Sequence, residues 1–141
     1  MSERAAPPGR SGYAHTFPAT PACVKEGREA VVEAIAALGL DERIHDDVRS
    51  CVSEAMTNAV RHAYGTGGGP VDVSVSRKEQ GAVVVVRDFG SGIVASGRGG
   101  DGGFGFSIIA ALTDQYALKS VSGVGTKVAM AFGTSLEACL S

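Results

Sequence analysis

The stretch from Val71 to Val86 narrows the choice of fold more than any other part of the chain. Val71, Val73 and Val75 alternate with Asp72, Ser74 and Ser76, the period of a strand with one face buried and the other in water. Ala82 to Val86 then run apolar without interruption, the pattern of a strand covered on both faces. A turn at Lys78 to Gly81 joins the two, so the pair reads as an antiparallel hairpin whose second strand lies deeper in its sheet.

The flanking segments fit around that hairpin. Tyr13 to Phe17 can form a short edge strand. Thr20-Pro21 is a helix-start signal, a capping hydroxyl followed by proline at the first helical position, and Val24, Val31, Ile35 and Leu38 recur at helical spacing until Gly39. Asp41 offers a second N-cap, after which Ile44, Val48, Cys51, Val52, Ala55 and Ala59 form one apolar arc running to about Ala63. Beyond the hairpin, Phe106 to Thr113 reads as a third helix, and Gln115 to Ser120 and Lys127 to Phe132 as strands around the turn Ser122-Gly123-Val124-Gly125-Thr126. Local hairpins with helices between them favour a two-layer α+β domain, a mostly antiparallel sheet with helices on one face, over a doubly wound parallel sheet. A length of 141 residues suits one domain, expected over 13–134 between a polar N-terminal tail, 1–12, and a C-terminal tail, 135–141.

Charge and composition exclude several partners. Thirteen Lys+Arg against 15 Asp+Glu give a net charge of −2, with no basic surplus to drive sequence-independent binding to nucleic acid or an anionic membrane. There is no signal-peptide core and no long apolar run, so a soluble, cytoplasmic protein is expected. Cys23, Cys51 and Cys139 are an odd number at wide spacing without a metal-binding pattern, and they are expected to be reduced. Glycine is in excess at 20 residues, twelve of them within Gly65 to Gly69 and Gly90 to Gly105. The first cluster reads as a connector, and the second needs another explanation.

Four groups of residues could carry chemistry. On the second helix Glu54, Asn58 and Arg61 fall within about 60° of one another, outside the apolar arc. A carboxylate and a carboxamide on one face suit Mg²⁺ directly or through water, and a Glu can take a proton from a nucleophile; a solvated polar face would look the same. Asp88-Phe89-Gly90-Ser91-Gly92-Ile93 puts a carboxylate where the central strand ends and the backbone turns. There it can accept a hydrogen bond from an exocyclic amine, or merely organise an Asx turn. Gly97 to Gly105 precedes the third helix, whose exposed N–H groups form an anion site, so a lid that ligand orders is as good a reading as a plain loop. Gly123-Val124-Gly125-Thr126 is a hairpin turn that ends in a hydroxyl able to reach a phosphate. Neither a Walker P-loop nor a dinucleotide fingerprint after the first strand occurs.

Taken together and in order, E-x-x-x-N on a helix, D-x-G-x-G after a strand, G-x-G before a helix and G-x-G-T between strands resemble the Bergerat-type ATP-binding domain. DNA gyrase, histidine kinases and mismatch-repair ATPases share that domain. Ser53 to Tyr64, Gly103 to Ile109 and the entry segment Phe17 to Pro21 resemble most closely the anti-sigma factor serine kinases, and the likeness extends over roughly Tyr13 to Phe132. The resemblance implies ATP and Mg²⁺ as ligands, Glu54 as the general base and Asn58 as the Mg²⁺ ligand. It implies that Asp88 meets the adenine amino group, with Gly90, Gly92 and Ile93 shaping that pocket. Gly103, Phe104 and Gly105 would face the phosphates, and Thr126 would complete the site. His62 stands where that subfamily has a histidine near the nucleotide, although a histidine closing a helix also caps carbonyls. Arg61 departs from the apolar residue expected there, which leaves its role open.

The implied activity is transfer of the γ-phosphoryl group to a serine of an anti-anti-sigma factor by a protein, usually a homodimer, that also sequesters an RNA polymerase sigma factor. A regulator that binds ATP and sequesters a partner without transferring phosphate is the alternative. His45-Asp46 superficially matches a sensor-kinase phosphoacceptor, but it lies only nine residues before Glu54 on the same helix. Only nine residues follow Phe132, so no transducer domain of the gyrase kind is expected.

Overall fold

A computed structural model of the chain describes residues 12–62, 68–90 and 106–136, without the His62 side chain. Strand β1 spans Gly12–Pro18 and helix α1 Pro21–Ala37; a 3-10 turn at Glu42–Ile44 leads into α2, His45–His62. The hairpin follows as β2, Pro70–Lys78, and β3, Gly81–Asp88, then α3, Phe106–Leu112, and a second hairpin of β4, Gln115–Val121, and β5, Gly125–Phe132. The expected α+β fold is what forms: five strands in the order β1-β2-β3-β5-β4, every neighbouring pair antiparallel.

The central position of β3 accounts for its unbroken apolar run. Val71, Val73, Val75, Val84, Val86, Val128 and Met130 point to the helices and join Val31, Ile35, Val48, Val52 and Met56 in the main core. On the other face Val83, Ala129 and Ala131 form a second, smaller cluster with Leu136, which among the described residues covers part of this side of the sheet. Cys23 and Cys51 are free thiols buried in the main core, while Cys139 lies outside the described residues.

The helix ends follow local chemistry. After α1, Gly39 takes φ 77°, and the N–H groups of Gly39 and Leu40 donate to Ala36 O and Ile35 O at 3.0 and 3.3 Å. This is a Schellman closure, with Leu40 buried in the same core as Ile35. Gly27 lets α1 approach α2, because a Cβ there would collide with the Met56 sulfur.

Two expectations about helix starts need correction. Thr20 occupies the N-cap position of α1, but its hydroxyl makes no capping bond; its carbonyl accepts from Cys23 N at 2.9 Å, and Pro21 at the first helical position leaves the helix start one N–H fewer to satisfy. Asp41 caps the 3-10 turn instead of α2, accepting from Arg43 N at 2.9 Å, and α2 begins only at His45. In the second hairpin β4 reaches Val121 and β5 starts at Gly125, two residues earlier than the pattern implied. The tails 1–11 and 137–141 and the glycine segment Gly97 to Gly105, expected as a ligand-ordered lid, lie outside the described residues. No helix among the described residues is long and apolar enough to cross a membrane.

Candidate functional site

The register of the sheet assembles the site at the end of β3. Asp88 is the last residue of that strand and pairs with Thr126 of β5, so the carboxylate after the apolar run and the hydroxyl of the G-x-G-T turn become neighbours. Asp88 Oδ1 accepts two backbone hydrogen bonds, from Gly90 N at 3.0 Å and Thr126 N at 3.2 Å. The side chain is only 6% exposed. Burial pushes its carboxyl above the usual range, and the two N–H donors offset part of that rise.

Gly125 makes this proximity possible. Its φ is 142°, and a Cβ on it would run into the Asp88 carbonyl, so the second glycine of the motif sets how closely β5 meets β3. Gly123, with φ 80°, serves the turn itself. The Thr126 hydroxyl lies 3.0 Å from that of Ser120, directly across in β4. Ser120 is the member that sequence reasoning missed; pairing β4 with β5 across the turn would have found it.

Helix α2 contributes the second set. Its apolar arc, Val48, Cys51, Val52, Ala55, Met56 and Ala59, packs into the core against β3 and β5. Beside that arc Glu54 and Asn58 are half-buried, and Arg61 is exposed. Burial first, and then the carboxylates of Asp47 and Glu54, push the Cys51 thiol up to about 12. Cys51 is therefore a packing residue with no thiolate chemistry near neutral pH.

The structure thus brings together Asp88, Gly90 and Thr126, and it carries Glu54 and Asn58 on a helix laid across the strands that hold them. Gly92, Ile93, Gly103, Phe104 and Gly105, and the side chain of His62, lie outside the described residues.

The donor set fits an adenine nucleotide. With Oδ1 committed to two N–H groups, Asp88 Oδ2 takes no hydrogen bond among the described residues and is the acceptor an amino group needs. Among the described residues no three His, Cys, Asp or Glu side chains are grouped to cage a metal.

Residues 17–132 match the family described as the histidine kinase-like ATPase domain. The chain belongs to this family. An ATPase domain implies ATP as its ligand, and both Asp88 and Thr126 fall within the matched span. The domain is similar to the anti-sigma F factor of Pasteuria penetrans, 38% identical over 97 residues that cover 60% of this chain and 65% of that protein. It also resembles the anti-sigma F factor of Clostridium acetobutylicum, 31% identical over 96 residues, 60% of this chain and 67% of that one. The chain therefore spans just under two thirds of the Pasteuria penetrans protein it matches. Its fold is that of the crystal structure of the RsbU and RsbW domains of Rv1364c from Mycobacterium tuberculosis, with a TM-score of 0.67 and 20% identity over 86% of this chain and 32% of that one.

Proposed function

We propose that this ATPase-family domain is an anti-sigma factor serine kinase, which binds Mg-ATP, phosphorylates a serine on an anti-anti-sigma protein and sequesters a sigma factor, working as a homodimer in the cytoplasm. The observation that carries the nucleotide half of this reading is Asp88: a buried carboxylate with one oxygen tied by two main-chain donors and the other left to accept. The regulatory half is supported by similarity to anti-sigma F factors.

In this reading Asp88 accepts the adenine amino group, and Gly90, Gly92 and Ile93 form the walls around the base. Gly103, Phe104 and Gly105 give backbone to the phosphates, His62 stands beside them, and Thr126 closes the pocket through its link to Ser120. Asn58 would hold Mg²⁺ together with the phosphates, and the ion would supply charge neutralisation at the transferring group. Glu54 accepts the proton of the substrate serine hydroxyl. The serine oxygen then bonds to the γ-phosphorus as the bond from that phosphorus to the β-γ bridging oxygen breaks, and ADP leaves.

Glu54→Gln keeps the size and polarity of the side chain and removes the base. ATP binding by calorimetry should stay within about twofold of the parent, and transfer of labelled phosphate to an anti-anti-sigma protein should fall by about 10²-fold or more. Unchanged transfer would remove Glu54 from its role. A parent chain that binds ATP and a sigma factor yet never transfers phosphate would favour sequestration alone.

A further inference from the structure

The face of the sheet turned away from the helices carries a row of charge. Register sets Thr16, Asp72, Arg87, Lys127 and Lys119 side by side across β1, β2, β3, β5 and β4. Three adjacent strands thus present cations directly opposite one another, an arrangement that weakens a sheet. Arg87 and Lys119 are exposed and Lys127 is half-buried. Asp72, the carboxylate of the row, is engaged on its other side, where Thr16 Oγ1 donates to its Oδ1 at 2.6 Å. Arg87 lies instead over the ring of Phe89, 4.6 Å from its centroid, a cation–π contact. Among the described residues no carboxylate pairs with any of the three cations.

Apolar surface borders this row. Phe89, Val121 and Val124 are 40%, 45% and 54% exposed, and Arg87, Lys119, Val121, Val124 and Lys127 line a cavity of about 280 Å³ together with Asp88, Gly125 and Thr126 of the candidate site. We propose that this end of the sheet docks an extended acidic segment of a partner protein, its carboxylates on the Arg87-Lys127-Lys119 row and an apolar side chain against Val121 and Val124.

Charge complementarity and scale select that occupant. Strands about 4.8 Å apart put the outer cations of the row about 10 Å apart, and alternate side chains of an extended segment, about 7 Å apart, fall within that span. A nucleic-acid strand would satisfy the cations, but it offers the valines nothing, and the chain's net charge of −2 opposes a polyanion. Arg87 and Asp88 are consecutive in a pleated strand and point to opposite faces, so the row of cations is separate from the Asp88 carboxylate although both border the same cavity.

The test uses the whole chain and a fluorescein-labelled peptide of alternating Glu and Val, followed by fluorescence anisotropy. The same peptide with Lys for Glu and a single-stranded oligothymidine are the comparisons. Saturable binding of the Glu peptide that weakens with salt, falls about tenfold or more in Lys119→Glu/Lys127→Glu and falls severalfold in Val124→Ser would support the surface. Lys119→Gln/Lys127→Gln, which also relieves the like charges and should melt no lower than the parent, gives the same reading if charge reversal impairs folding. Equal binding of the Lys peptide, undiminished binding in the double variants, or equally tight binding of oligothymidine would overturn the proposal.

Discussion

At the scale of single residues, Asp88 combines two properties that can be separated by substitution. In the folded chain its carboxyl titrates above its ordinary value of 3.8, because burial disfavours the charge more than its two N–H donors favour it. A raised folded pKa means that the protonated form is fully accommodated below the unfolded value, and that stability is lost as pH climbs from there through the folded one. Asp88→Asn keeps an oxygen for Gly90 and Thr126 and carries no charge. Thermal melts should therefore show the variant equal to the parent below about pH 3.8 and increasingly more stable as pH rises through that window. Its adenine affinity should move the other way, down by about tenfold or more, because an amide N–H₂ replaces the free acceptor. An ATP affinity in the variant equal to the parent's would disconnect Asp88 from the base.

Among the elements, the second hairpin bears most on the site. Gly125 has to stay without a side chain for β5 to reach the end of β3. Gly125→Ala should destabilise the chain by about 1–3 kcal/mol in urea unfolding and lower ATP affinity along with it, since the Thr126 N–H that holds Asp88 moves too. A melt unaltered by this substitution would show that the backbone tolerates the shift. The G-x-G-T pattern was legible in the sequence, but which glycine did what was not, because a turn glycine and a close-contact glycine look alike until a facing strand is known. Ser120 escaped for the same reason, as its relation to Thr126 exists only across the turn. Asp41 carried a correct capping signal attached to the wrong helix: an Asx cap serves a 3-10 turn as well as an α-helix, and only the packing of α2 decides where the regular helix begins.

For the whole molecule, the two faces of the sheet differ in how they are covered. The helix face has a continuous core, whereas the opposite face has the smaller cluster of Leu136 with Val83, Ala129 and Ala131. Leu136→Ala should cost about 2 kcal/mol or more in chemical denaturation and expose this patch to a hydrophobic dye; neither change would mean that the cover is dispensable. The layer arrangement was readable because hydrophobic period and element order are properties of consecutive residues. The cover was not, since Leu136 stands in a short C-terminal stretch without strand or helix periodicity. Nor was the row of cations, which unites three strands distant in the chain. Parity gives the end of β3 a strict phase: Asp88 turns toward the helices and Arg87 away from them. Deleting one residue from that strand would exchange the two, presenting a cation at the proposed adenine contact and a carboxylate on the proposed docking row. Point substitutions can therefore retune either face separately, whereas a change of length in this strand corrupts both at once.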